Sequence, residues 1–104
     1  MMPTVQMPEA YEDLIQQLKE MGEEYLAGVA SALKTKGIDC ETVVEVGRVV
    51  ERIIHTAETH HADLIALASH GRTGLAQVFF GSVASGVLHR SQFPLLLIRS
   101  LGSE

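Results

Sequence analysis

Two unbroken apolar runs, Leu64-Ile65-Ala66-Leu67-Ala68 and Leu95-Leu96-Leu97-Ile98, constrain this chain most. Each is too short for a buried helix and too uniformly apolar for a strand with one wet face. Such runs read as strands of a parallel sheet, covered on both faces. A parallel pair needs a crossover of a dozen or more residues. The segment between the runs supplies one. It reads as a loop over 69–81 carrying Gly71, Gly74 and Gly81, then a short helix from Ser82 to His89 or Arg90. Within the loop Leu75, Val78, Phe79 and Phe80 are apolar enough to dock a turn onto a core. Pro94 ends the irregular stretch before the second run.

Upstream, residues 1–8 read as an irregular leader, because Pro3 and Pro8 disfavour helix in the residue before them. From Glu9 the pattern turns helical. Tyr11, Leu14, Ile15, Leu18, Met21, Tyr25, Leu26, Val29 and Leu33 recur at spacings of mostly three and four. Acids crowd the first turn (Glu9, Glu12, Asp13), Lys34 and Lys36 sit near the other end, and Gly37 is the expected stop. A helix over 9–36 follows, with Tyr11 and Tyr25 in its core stripe. Gly22 and Gly28 weaken it by about 1 kcal/mol each relative to alanine. Residues 38–46 alternate, with Ile38, Cys40, Thr42, Val44 and Val46 on one side, and predict a strand with one wet face near a sheet edge. Cys40 then reads as a small buried residue. After Gly47, the stripe Val49, Val50, Ile53, Ile54 and Ala57 predicts a helix over 48–61. Alternating helices and strands predict an α/β domain with a mainly parallel sheet.

A length of 104 residues fits a single domain over 1–104, and 46% hydrophobic content excludes a disordered chain. The lone Cys40 excludes an internal disulfide. Net charge of −5 argues against a general nucleic-acid binder. The longest apolar run, Phe93–Ile98, is far too short for a bilayer, and no signal peptide precedes the helix. A soluble, cytoplasmic setting without membrane or nucleic-acid partners is the expectation.

The charge is unevenly spread. Residues 1–47 carry the acids Glu9, Glu12, Asp13, Glu20, Glu23, Glu24, Asp39, Glu41 and Glu45 against only Lys19, Lys34 and Lys36. From Leu64 to Ser103 there is no acid, while Arg72, Arg90, Arg99, His70 and His89 are present. An acid-free segment in an acidic chain tolerates an anion; a chance run in an apolar region is the plainer reading.

The stretch from Ala68 to Ser82 carries the chemistry. It leaves the carboxyl end of a buried strand, where open parallel sheets bind ligands. It ends at a helix N-terminus, where unpaired N–H groups favour an anion. Gly71 and Gly81 let backbone amides approach a bound group, Ser82 would cap the helix, and His70 and Arg72 add donors. The residues alone admit two readings: a phosphate cradle, or a tight strand-to-helix connection with a serine cap. No Walker A run and no GxGxxG is present.

The sequences Ala62–Leu75, Gly81-Ser82-Val83-Ala84 and Pro94–Arg99 resemble the C-terminal half of a universal stress protein. That family's signature is Gly, two residues, Gly, nine residues, then Gly-Ser or Gly-Thr. Here the order is Ala68, two residues, Gly71, nine residues, then Gly81-Ser82. The upstream helix, strand and helix fit the family order, so the resemblance covers nearly the whole chain. It implies an open, mainly parallel sheet of the adenine nucleotide alpha hydrolase-like type, truncated at the N-terminus. It also implies nucleotide (ATP or AMP) binding in a stress response. Ala68, Gly71, Gly81, Ser82 and Val83 would touch the nucleotide, and Ser69, His70 and Arg72 would lie beside them. No metal is expected beyond a magnesium ion carried by the nucleotide, and no catalytic residue for hydrolysis is identified.

Two departures from the family matter. Ala68 replaces the first signature glycine, at about 1 kcal/mol if that position needs positive φ and at none if it lies in the strand. The family's first strand, first helix and second strand have no counterpart, nor has the acidic residue that ends the first strand. In the family's 3-2-1-4-5 sheet order, a gap would then separate residues 38–46 from 64–68. Three outcomes are open: direct pairing of those strands, a second copy filling the gap by association or swapping at 64–68, or a fragment of a longer protein. A homo-oligomer is the expectation. The resemblance implies a dimer through Leu95–Ile98, and an alternative function is a dimerising stress-related protein without nucleotide binding. His55, His60 and His61 lack the i, i+4 spacing that places two metal ligands on one helix face.

Overall fold

A computed structural model of the chain describes residues 8–70 and 81–100. They contain helices α1 (Glu9–Lys34), α2 (Val49–Thr59) and α3 (Ser82–Arg90) and strands β1 (Ile65–His70) and β2 (Leu95–Ser100). The backbone divides into two compact units, one ending at Val46 and one beginning at Gly47.

In the first unit α1 starts at Pro8, whose carbonyl accepts from the N–H groups of Tyr11 (3.0 Å) and Glu12 (3.1 Å). Glu9 and Glu12 lie in the first turn, where the helix dipole favours them. The helix ends as the sequence predicts. Gly37 adopts φ +82°, its N–H donates to Lys34 O at 2.9 Å, and Ile38 N–H donates back to Leu33 O at 3.0 Å. That pair of bonds satisfies two of the last carbonyls and requires a left-handed residue, which glycine supplies without a Cβ penalty.

Residues 38–46 form no strand, a correction to the alternation-based reading. A strand exists only where its backbone groups meet a neighbouring ladder, and among the described residues β1 and β2 pair only with each other. Within the stretch Val44 is half-buried, set against α1 at Gly22, where a Cβ would stand 3.4 Å from Val44 Cγ2. Ile38, Val43 and Val46 are exposed, and so is Cys40, which is not the buried residue expected. No residue of α1 is fully buried. Tyr11 and Tyr25 are 49% and 70% exposed, so neither is the core residue expected.

The second unit holds the core. Strand β1 runs parallel to β2, with Ile65 opposite Leu95 and Ala68 opposite Ile98. Ile65 N–H donates to Pro94 O at 2.9 Å and fixes the start of that register. Ala57, Ile65 and Val87 form the buried centre, surrounded by Val50, Ile53, Ala62, Leu67, Val83, Phe93 and Leu95. Helices α2 and α3 thus cover one face of the sheet. On the other face Ala66, Ala68, Leu96 and Ile98 are exposed. The expectation of strands covered on both faces is corrected for the described residues of this unit, whose helices pack on one side of the sheet.

The helices approach closely where Gly86 of α3 meets Val50 of α2. Glu51 of α2 accepts from Arg90 at the end of α3 (3.4 Å) and pairs with Arg48 (3.6 Å). These are exposed ion pairs, worth at most about 1 kcal/mol each. Helix α2 ends on a second left-handed residue, His61 at φ +54°. His61 N–H donates to Glu58 O and Ala62 N–H to Ala57 O.

Candidate functional site

Chain direction places the site. Strand β1 runs toward its carboxyl end, α3 returns, and β2 runs parallel to β1. In a strand–helix–strand crossover the N-terminus of the helix therefore starts at the end of the sheet where the strands finish. At that end Ser69 lies in register with Arg99 and His70 with Ser100. The next described residue is Gly81, directly before α3. Gly71 and Arg72, also expected to take part, lie outside the described residues.

Gly81 has φ +88° and ψ 155°. This region is closed to residues with a Cβ, so glycine is required here for a conformational reason that the spacing alone did not give. Gly81 is itself the N-cap and has no side chain with which to cap α3. The expected serine cap is corrected: Ser82 is the first helical residue, where its hydroxyl makes no capping bond. The first backbone bond of the helix runs from Ser85 N–H to Gly81 O at 3.0 Å. The amides before Ser85 belong to the group that a helix cannot satisfy internally. No acidic residue stands in the first turn, and His89 and Arg90 occupy the last. Gly81 and Ser82 are exposed, while Val83 is half-buried against the core and anchors the turn.

Ala68 lies inside β1, opposite Ile98, and His61 is the one non-glycine residue with positive φ among the described residues. Alanine at this position therefore carries no backbone strain. The geometry fits an anionic oxygen: a glycine N-cap without a Cβ, a helix N-terminus with no cap from its own N-cap residue, and no carboxylate in its first turn. Among the described residues, no three His, Cys, Asp or Glu side chains gather as a metal site. No described helix is long and apolar enough to cross a membrane.

Gly86 is the structurally decisive residue that the sequence reading passed over. Its only signal was a glycine in the middle of a short helix, where propensity disfavours it.

A parallel α/β unit with a glycine-led helix at the carboxyl end of its sheet is the class of protein defined here. A model of the universal stress protein family matches residues 1–99. The chain is 37% identical over 76 residues to universal stress protein Sll1388 of Synechocystis, covering 73% of this chain and 49% of that protein. It is 32% identical over 95 residues to universal stress protein MJ0531 of Methanocaldococcus jannaschii, covering 91% and 56%. The solved structure of MJ0577, reported as a structure-based assignment of the biochemical function of a hypothetical protein, superposes with a TM-score of 0.77 at 28% identity. That superposition covers 91% of this chain and 66% of that one. The chain belongs to the universal stress protein family. It spans about half the length of the curated relatives it matches.

Proposed function

We propose that the chain is a nucleotide-responsive stress module that holds the phosphates of ATP or AMP at residues 68–83. The observation that carries this reading is the N-terminus of α3, opened by the N-cap Gly81 in a glycine-only conformation with no side-chain cap of its own, and free of acids in its first turn. Backbone N–H groups there would donate to phosphate oxygens, with Ser82 adding a hydroxyl and Val83 holding the turn against the core. Ser69 and His70, at the end of β1, would flank the ligand, as would Gly71 and Arg72. The activity is binding, in the cytoplasm, with magnesium arriving on the nucleotide; no step of hydrolysis is assigned.

Calorimetric titration with ATP and with AMP tests the reading. Saturable heat in the parent chain, lost in Gly81→Asp and reduced in Ser82→Ala, is the expected result. Absence of heat at millimolar nucleotide, with the chain folded by circular dichroism, would overturn it. The exposure of Leu96 (48%) and Ile98 (49%) supports a second reading, a dimerising stress protein whose copies meet along Leu95–Ile98. Under that reading nucleotide leaves the fold untouched, and Ile98→Glu abolishes the dimer.

A further inference from the structure

Where α3 lies relative to α2 is set at one crossing. A Cβ on Gly86 would stand 2.7 Å from Val50 Cγ2 and 3.5 Å from its Cγ1. Ordinary carbon contacts begin at about 3.5 Å, so the helices sit about 0.8 Å closer here than a residue with a side chain would allow. Val50 does not swing aside freely, because a valine within a helix is held to one χ1 rotamer. Nor is there room to slide the other way. Ala84 and Val87, the latter fully buried, already seat α3 on the core.

The two ends of α3 are held unequally. At the C-terminal end Ser91 N–H donates to Val87 O (3.0 Å), Phe93 N–H to Ser91 Oγ (3.2 Å) and Ile65 N–H to Pro94 O (2.9 Å), while Arg90 pairs with Glu51 (3.4 Å). At the N-terminal end, among the described residues, half-buried Val83 rests on the core and Gly81 has no side chain to tie it down. A push at Gly86 therefore turns α3 about its C-terminal end and grows toward Gly81. Along the axis Gly86 lies about 6 Å from Arg90, and Gly81 about 13.5 Å, so about 0.8 Å at the crossing becomes about 1.8 Å at the helix N-terminus.

We propose that Gly86 is a positioning residue for the phosphate site, an inference that rests on the nucleotide reading above. By admitting Val50 so closely, it sets where the first amides of α3 stand. Gly86 is five residues from Gly81, about 7.5 Å along the helix, and acts only through the placement of that helix. N–H···O bonds span only about 2.7–3.2 Å, and a misplacement of about 1 Å can cost a hundredfold. Alanine is the better helix former, so weaker binding by Gly86→Ala would not come from a frayed helix.

The test compares the parent, Gly86→Ala, Val50→Ala and the double variant. Each is checked for folding by circular dichroism, titrated with ATP by calorimetry, and recorded without ligand by amide NMR. Gly86→Ala should bind ATP at least about tenfold more weakly and shift the amide resonances of Ser82 and Val83. Adding Val50→Ala removes the obstructing methyls and should return both to the parent's values, although the double variant stays less stable than the parent in urea. A merely structural role would instead leave the double variant the weaker binder. If Gly86→Ala does not fold, Val50→Ala with and without Gly86→Ala decides, since the two should then bind ATP alike. A folded Gly86→Ala within about twofold of the parent's affinity overturns the proposal, as does a double variant that stays about tenfold weak. A parent that takes up no ATP overturns the nucleotide reading and this role with it. A parent that binds ATP no better than Gly86→Ala overturns the positioning role alone.

Discussion

The Cβ that Gly86 lacks would stand 2.7 Å from Cγ2 of Val50. Real Cβ atoms do not approach a methyl group so closely, so α2 and α3 cross at this distance only because residue 86 is glycine. Gly86→Ala should therefore destabilise the second unit by about 1–3 kcal/mol, although alanine is the better helix former. Urea unfolding measures it. In the Val50→Ala background the loss should shrink, because the obstructing methyls are gone; an unchanged loss would place the effect elsewhere.

His61→Gly should act in the opposite direction. His61 holds the left-handed position that ends α2, and a side chain there costs about 1 kcal/mol. Replacement should raise the melting temperature by a few degrees, reduced by the greater freedom glycine has when unfolded. His61→Val should lower it, since a β-branched residue tolerates this conformation least.

Gly81→Ala should cost about 1–3 kcal/mol through backbone strain alone, with no lost contact, since a Cβ there would meet nothing within 4 Å. Thermal unfolding without nucleotide measures the strain. Ser82→Ala should leave that stability within about 0.5 kcal/mol, because its hydroxyl caps nothing.

Val87→Ala and Leu88→Ala form a pair of opposite expectations. Val87 is fully buried at the centre of the core, and its truncation should cost about 2 kcal/mol in urea unfolding. Leu88 is 55% exposed, and its truncation should cost about 0.5 kcal/mol or less. Equal losses would mean that Leu88 is covered in solution.

Much of the fold was legible because its signals are local. The acids after Pro8, the three–four spacing and the glycine at 37 define α1 within two residues of its predicted end. The runs at 64–68 and 95–98 announced a parallel pair, and the segment between them a crossover. The strand at 38–46 was misread because alternation records only which side chains are apolar, and a ladder needs a partner. Cys40, Tyr11 and Tyr25 were misplaced for the same reason: an apolar stripe states what a face would bury, not whether anything covers it. At the site, Gly81 and its position before a helix were legible, whereas the cap was wrong by one residue, because serine and glycine are both good N-caps and only the backbone angles decide.

The sequence by itself determined the three helices, the two apolar strands and the glycine that opens α3, since each follows from periodicity, dihedral preference or an uninterrupted apolar run. Tertiary structure alone decided that, among the described residues, α2 and α3 cover one face of the sheet and leave Ala66, Ala68, Leu96 and Ile98 exposed on the other. It also decided that Ala68 lies unstrained within β1 and that Gly86 is indispensable where α3 meets Val50. Those outcomes depend on distances between segments far apart in the chain, which local propensity does not encode.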